Sequence, residues 1–138
     1  MTFQVPDSHR DLLEKPLCVT LATVSPQGKP YTAVVWRKFD GQHFWIVTDT
    51  HTRKYKNLLA NKAVSLVTLD PNNPYRYIEV RGTVEAIASE RALELLDELT
   101  LAYMGKPHYF GDIEPAEEAA KYQGVILKIK PETSVQFG

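Results

Sequence analysis

The sequence contains a single cysteine, Cys18, which excludes an intramolecular disulfide. Cys18 stands in an apolar run, where we expect it to behave as a small core residue. No apolar run approaches the ~20 residues of a membrane span, and residues Met1–Asp7 contain no apolar signal-peptide core. We therefore expect a soluble cytoplasmic protein, with residues 1–138 forming one domain that buries its core without metals or disulfides.

The formal net charge of −1 shows no excess of one sign, which argues against a general nucleic-acid-binding surface. The charge is nevertheless uneven, because Thr50 to Leu69 contains no carboxylate but four basic residues: Arg53, Lys54, Lys56 and Lys62. A basic-helix nucleic-acid module would need a wider cationic face. The four histidines do not have metal-ligand spacing, and neither a P-loop nor a nucleophile elbow is present. We expect no metal site.

Alternating and β-branched runs predict six strands, at residues 17–24, 31–39, 42–49, 63–69, 75–87 and 124–130. Helical spacing predicts a short helix from Ser8 to Glu14, capped by Asp7 or Ser8, and an amphipathic helix from Glu90 to Met104. A short helix follows the third strand, and another turn or two lies at Glu114–Lys121. The fold class is mainly β with helices (α+β), a small antiparallel β-barrel.

The segment after the third strand has the layout of an anion site. Thr50 or Thr52 can cap the helix that follows, and Arg53 and Lys54 then stand at the positive end of its dipole. That position disfavours cations by roughly 0.3–1 kcal/mol each, but an anion bound there would reverse the sign. An ordinary solvated basic turn is the alternative that these residues leave open.

Four local patterns carry a resemblance that extends over nearly the whole chain: Leu21–Val24 with Gly28 and Pro30, Val34–Trp36 before Asp40-Gly41, Thr48 with Thr52–Leu58, and Asp70–Gly82. Together they resemble the FMN-binding split-barrel superfamily, the pyridoxamine 5′-phosphate oxidase-like proteins. Three further segments are similar to its branch of coenzyme F-420 (deazaflavin)-dependent enzymes: Pro6–His9, Asn73–Tyr77 and Tyr103–Gly105. The resemblance implies a six-stranded antiparallel split barrel of the FMN-binding type.

The resemblance also implies a homodimer with cofactor sites at the interface. Two strand segments would lie against the ring of the cofactor, a turn would bind its phosphate, and a last pair would reach it from the neighbouring subunit. The strand segments that would lie against the ring are Val34, Val35 and Trp36, and Val47 and Thr48. The phosphate-binding turn is Thr52, Arg53 and Lys54. The pair from the neighbouring subunit is Arg76 and Tyr77.

The implied function is an oxidoreductase that uses coenzyme F-420 for hydride transfer to an unsaturated small-molecule acceptor. FMN is the alternative cofactor, and a non-enzymatic flavin- or haem-binding protein is the rival from another class. The longer tail of coenzyme F-420 calls for a broader cationic path, for which the candidates are Lys38, Lys56, Arg76 and Arg81. Because the chain departs from true pyridoxamine phosphate oxidases at its C-terminal end, the resemblance does not imply vitamin B6 synthesis.

In such enzymes the cofactor performs the redox step, so the sequence assigns no catalytic residue. The candidates for a proton donor, by residue type, are His51, Tyr77, His108 and Tyr109. The aromatic loop from Tyr103 to Phe110 would cover the site or serve as a packed connection. We expect three aromatic residues to find few partners within so small a barrel, which also favours a homodimer: Trp36, Phe44 and Trp45.

Overall fold

The computed structural model describes residues 3–138, and its main feature is one antiparallel sheet of seven strands. The strands are β1 Val19–Val24, β2 Pro30–Val35, β3 Lys38–Phe39, β4 Phe44–Asp49, β5 Ala63–Asp70, β6 Asn73–Ala88 and β7 Gly124–Phe137. The α-helices are α1 Arg10–Glu14, α2 Arg53–Ala60 and α3 Ala92–Met104, with 3₁₀ helices at Asp7–His9 and Ala116–Lys121. Within the described range no helix is long and apolar enough to cross a membrane.

The strand order β2-β1-β5-β6-β7-β4-β3 puts two strands that are neighbours in sequence at opposite edges of the sheet. If the sheet were flat, six spacings of about 4.8 Å would separate these edges by about 29 Å. Only Trp36 and Arg37 join β2 to β3, and such a link spans at most about 11 Å. The sheet must therefore curl into a half-barrel, with a split between its two edges.

The same link explains why the prediction of six strands is wrong. Residues 31–39 were expected to form one strand, but the chain leaves the ladder at Trp36. The buried guanidinium of Arg37 donates to the carbonyl oxygens of Leu12 at 2.7 Å and Lys15 at 2.8 Å, at the C-terminal end of α1. These are carbonyls that a helix end leaves unpaired. Because Arg37 is held inward by these contacts, β2 ends before it and a separate strand, β3, begins after it.

The core lies on the concave face of the curled sheet, because alternate residues of the strands point inward. Leu21, Ile46, Leu66, Val80 and Leu127 are each at most 2% exposed. The members that share this face also include Val19, Phe44, Val64, Ile78, Val84, Val125 and Ile129, with Leu12, Leu13 and Leu58 added from the helices.

The expectation that three aromatic residues find few partners inside the chain is wrong. Phe44 is buried and its ring stacks on Phe39, with 4.5 Å between centroids. Trp36 stacks on Tyr103 at 5.4 Å. Trp45 is half-buried, and its indole N–H donates to Asp40 at 2.8 Å. These residues therefore give no argument for a dimer.

Two other local predictions need correction. Cys18 is exposed, because it precedes the inward-facing Val19 and the alternation of a strand sends neighbours to opposite faces. The last strand does not stop at residue 130 but runs on to Phe137. Pro131 fits within it because the register shifts there, opposite Gly82, and a bulge tolerates proline. The 3₁₀ helix at Asp7 begins without a side-chain cap.

Candidate cofactor site

The position of α2 is fixed by residues on its buried face. Leu58 is fully buried in the core, and the buried Asn57 donates from its side-chain nitrogen to the Thr23 hydroxyl at 3.0 Å. Residues three and four positions apart share a face of a helix. Lys54 precedes Asn57 by three positions and Leu58 by four, and it is half-buried on the inner side of α2. Arg53, five positions before Leu58, is exposed.

A cavity of about 300 Å³ occupies the split of the half-barrel, and we call it the inner cavity. It is bounded by the end of β2, the end of β4, the start of α2 and one face of α3. Seven of the ten predicted site residues line it: Val34, Val35, Trp36, Val47, Thr48, Thr52 and Lys54. Only the curl of the sheet brings these segments together, since four strands lie between β2 and β4 in the strand order.

Lys54 is the distinctive charge of the inner cavity. Its side chain is half-buried, and no carboxylate within residues 3–138 lies within ion-pairing distance of its ammonium group. Burial lowers its pKa below the usual lysine value because the charged form loses water. The other charged residue of the wall is Asp49, whose carboxylate already accepts hydrogen bonds from the backbone N–H of His51 and of Gln123.

The threonine hydroxyls of this site form hydrogen bonds within the chain at the start of α2. Of the two predicted caps, the structure uses Thr52, whose Oγ1 accepts a hydrogen bond from the Tyr55 N–H at 3.3 Å. The same hydroxyl contacts the Asp49 carbonyl oxygen at 2.9 Å and the Thr48 hydroxyl at 3.0 Å. The groups left for a ligand are therefore the Lys54 ammonium and the backbone N–H groups of Arg53 and Lys54, because the Tyr55 and Lys56 N–H groups already donate to Thr52.

The other three predicted site residues, Arg53, Arg76 and Tyr77, do not line the inner cavity. The Arg53 guanidinium stands over the Tyr31 ring, 5.8 Å from its centroid. Tyr77 stacks on Phe137 at 5.8 Å. Arg76 binds Asp11 at 2.6 Å and Asp70 at 3.0 Å. These hydrogen bonds raise the pKa of Arg76 and lower the pKa of Asp11. The pKa of Asp70 is lowered first by the hydrogen bond from the Asn72 N–H and then by the one from Arg76.

The broader cationic path predicted for a long cofactor tail is largely neutralised within the chain. Lys38 pairs with Glu98 at 2.7 Å and Arg81 pairs with Glu79 at 3.2 Å. Arg76 is held by its two aspartates, so three of the four candidate cations are committed to carboxylates. The fourth, Lys56, is exposed on α2 and lies outside the inner cavity.

Aromatic side chains form another part of the wall of the inner cavity. Tyr109, from the predicted covering loop, lines the inner cavity and meets the Trp36 ring edge-on at 6.2 Å. Phe110 contacts Tyr109 and Tyr122 in T-shaped pairs at 5.0 and 5.1 Å. Beyond Tyr109 and Tyr122 lies a second, outer cavity of about 620 Å³. His51 lines this outer cavity, whereas neither Tyr77 nor His108 lines either one.

Four further residues complete the inner cavity and were not predicted as site residues: Asp49, Leu96, Leu99 and Tyr122. The amphipathic pattern places the two leucines on the sheet-facing side of α3 but does not say over which part of the sheet. Tyr122 follows the second 3₁₀ helix and has no sequence signal of its own. Burial, with a contribution from Asp49, raises its pKa to about 12. Its hydroxyl is therefore a neutral hydrogen-bonding group at physiological pH.

Fold and cavity together define a split β-barrel with an open cavity between its two edges. The family model of pyridoxamine 5′-phosphate oxidase matches residues 5–136. The chain belongs to this family.

Individual relatives show how far the similarity extends. A pyridoxine/pyridoxamine 5′-phosphate oxidase of Microcystis aeruginosa is 39% identical over 79 residues, covering 56% of this chain and 36% of the relative. The chain thus matches little more than a third of that relative's length. A solved structure named as an F-420 reductase is 36% identical, with a TM-score of 0.80 and coverage of 95% of this chain and 98% of that one. A conserved hypothetical protein of Mycobacterium tuberculosis, 22% identical with a TM-score of 0.72 over 99% and 86%, shares the fold.

Proposed function

We propose that the inner cavity binds the ring and phosphate of a flavin-type cofactor and that the protein is a coenzyme F-420-dependent reductase. The observation that carries the proposal is Lys54, a half-buried cation without a carboxylate partner in the described chain, at the first turn of α2. A buried cation is costly unless it meets an opposite charge. A phosphate would supply that charge and would also accept hydrogen bonds from the free amides of the helix.

The residues of the cavity fit such a group. Val34 to Trp36 and Val47 would lie against a flat ring, with Leu96, Leu99 and Tyr109 closing the apolar side. Lys54 would hold the phosphate. When bound, the cofactor supplies two-electron hydride chemistry, and the protein's part is to orient it and exclude water.

The choice of coenzyme F-420 is supported by the 36% identical F-420 reductase, because that likeness covers nearly all of both chains. FMN is the second candidate, and one observation favours it. Three of the four cations expected along the tail of coenzyme F-420 are already paired with carboxylates. FMN ends at its phosphate and needs no such path.

We also propose that the cofactor site is completed by a second copy of the chain. Val34 lines the inner cavity yet is 72% exposed, and its strand β2 pairs with a neighbour on one side only. An apolar wall of a binding site that faces water is suited to burial by a partner. Analytical ultracentrifugation of the purified protein tests this, with a dimer as the expected species and a monomer at all concentrations as the contrary result.

The test of the proposed function is a fluorescence titration of the cofactor-free protein with coenzyme F-420 and with FMN, followed by turnover with reduced cofactor and quinone or enone acceptors. We expect tighter binding of coenzyme F-420 and oxidation that depends on the acceptor. Tighter FMN binding would assign a flavin oxidoreductase. Tight binding without acceptor-dependent oxidation would indicate a storage or sensing protein, and binding of neither cofactor would overturn the proposal.

A further inference from the structure

The outer cavity adjoins the inner one along a shared wall. Asp49, Thr52, Tyr109 and Tyr122 line both cavities. A ligand in the outer cavity would therefore lie next to whatever fills the inner one, with the two tyrosines at the boundary. The outer volume of about 620 Å³ is sufficient for a small molecule of two or three fused rings.

The outer cavity is held in shape by the loop that carries its aromatic wall. The N–H of Tyr109 donates to the Asp97 carboxylate at 2.9 Å, and its carbonyl accepts from the N–H groups of Ile113 and Glu114 at 2.9 and 3.0 Å. Gly111 adopts a left-handed conformation with φ of 109°, which favours glycine. The rings of Tyr109, Phe110 and Tyr122 thus pack against one another in a defined arrangement, and such preorganisation favours the binding of a flat apolar ligand.

The charge of the outer cavity differs from that of the inner one. Its lining includes three carboxylates, Asp49, Glu114 and Glu118, but only one permanent cation, Lys121, which lies 3.6 Å from Glu118. The formal sum is −2 with His51 neutral and −1 with His51 protonated. The His51 Nδ1 atom contacts the Asp49 carboxylate, so this histidine is itself bound to one of the acids.

The tyrosines at the boundary feel the same negative field. Burial raises the pKa of Tyr109, and Glu114 raises it further. Burial, and to a smaller extent Asp49, also raises the pKa of Tyr122. Both hydroxyls therefore stay protonated, and neither offers an anionic ligand a compensating positive charge.

We propose that the outer cavity binds the hydride acceptor and selects flat, unsaturated molecules that are neutral or cationic over those that carry a carboxylate, sulfonate or phosphate. The assignment of this ligand as the acceptor rests on the proposed function, whereas the charge selection rests on the cavity alone. Phosphorylated pyridoxine compounds belong to the disfavoured anionic class.

The selection is measured with three probes that share one ring system: 2-naphthol, naphthalene-2-sulfonate and trimethyl(naphthalen-2-yl)ammonium. Each is titrated into the protein while the NMR signals of the Tyr109 and Tyr122 rings are followed. We expect the neutral and cationic probes to shift these signals and to bind at least about tenfold more tightly than the sulfonate. Each unit charge near a surface site changes the Kd by on the order of one power of ten.

Substitutions of residues that line the outer cavity test whether its carboxylates cause the charge selection. Glu114→Gln combined with Glu118→Gln should reduce the preference against the sulfonate several-fold. Glu117→Gln, which lies next to Glu118 in the 3₁₀ helix but outside the cavity, should not. Phe110→Ala should weaken all three probes, with circular dichroism confirming its fold. Equal binding of sulfonate and naphthol, or an equal effect of the Glu117 control, would overturn the selection.

Cofactor titration on the same samples separates the two proposals. Charge selection without cofactor binding would refute the reductase but leave the aromatic site intact. Cofactor binding without charge selection would leave the reductase and refute this inference.

Discussion

Lys54 and Arg76 are two basic residues assigned to one cofactor site by resemblance, but their surroundings in the folded chain differ. Arg76 contacts two aspartates and also donates to the Ser8 carbonyl at 2.7 Å. These contacts join β6 to the N-terminal helical segment and to the end of β5. Lys54 lies at the edge of a cavity, is half-buried, and has no carboxylate partner in the described chain.

The difference shows how a structural cation is distinguished from a ligand-binding one. The environment of Arg76 stabilises its charge, as its raised pKa indicates, whereas burial destabilises the charge of Lys54 and lowers its pKa. A folded chain retains an uncompensated buried charge at some cost to its stability. Within one copy of the chain Arg76 is a framework residue, and its reach to a cofactor in a neighbouring copy stays a prediction. We propose Lys54 as part of the binding site.

The largest expected effect is that of Lys54→Ala on cofactor affinity. Loss of a charge-assisted contact to phosphate, about 1.5–3 kcal/mol, should raise the Kd for coenzyme F-420 by about 10- to 100-fold. The melting temperature should not fall, because the variant removes a desolvated cation. Lys56→Ala, on the exposed side of the same helix, is the matched control. A Kd within about twofold of the wild-type value would remove Lys54 from the site.

Arg76→Ala should produce the opposite pattern, with a smaller effect. We expect the melting temperature to fall by about 2–6 °C, through loss of a small ion-pair network, and the Kd to change by less than about twofold. Arg81→Ala, which breaks a single exposed pair, is the control. A loss of affinity at unchanged melting temperature would instead show that Arg76 reaches a cofactor, as the resemblance to family dimers implies.

The pH dependence of that stability difference follows from the two aspartates. Both carboxyl groups have a pKa below the ordinary value of 3.8 in the folded state. Their contribution to stability is therefore fully present above the unfolded pKa and is lost as pH falls through the folded pKa. Thermal unfolding of wild type and Arg76→Ala should give a difference that is constant near neutrality and narrows below about pH 4. A difference independent of pH would contradict the ion-pair explanation.

The smallest effect expected is a change in the pH profile of cofactor binding. Lys54 holds a phosphate only while protonated, and burial lowers its pKa below 10.5 in the free protein. Affinity of the wild type should thus decline several-fold as pH rises towards that value. Lys54→Arg keeps its charge over this range and should bind with little dependence on pH. Parallel profiles for the two proteins would mean that another group sets the dependence.

Much of the fold could be predicted from local patterns in the sequence. Alternation located most strands within a few residues, although the last runs seven residues beyond its predicted end, and the hydroxyl of Thr52 identified the start of α2. The division of the second predicted strand at Trp36 and Arg37 was missed. It depends on contacts with Leu12 and with the hydroxyl of Tyr103, 66 residues further along the chain. Only the folded chain brings these groups to Arg37.

The candidate site was predictable in part for the same reason. Val34 to Trp36 and Val47 to Lys54 come from two local segments whose patterns are visible, and the curl of the sheet joins them. Arg76 could not be judged from sequence, because its partner Asp11 lies 65 residues away. Tyr122 reaches the cavity through a packed loop, which no periodic pattern describes.

The most direct test of the account is a binding cycle that removes the phosphate and the lysine separately. FMN and riboflavin, which differ only by the phosphate, and coenzyme F-420 and its ribityl-deazaflavin, which lacks both the phosphate and the tail beyond it, would be titrated into wild type and Lys54→Ala by fluorescence. The account predicts that the wild type prefers the phosphorylated member of the pair it binds and that Lys54→Ala loses most of this preference while binding the phosphate-free member equally well. An equal loss for both members would contradict a phosphate site at Lys54.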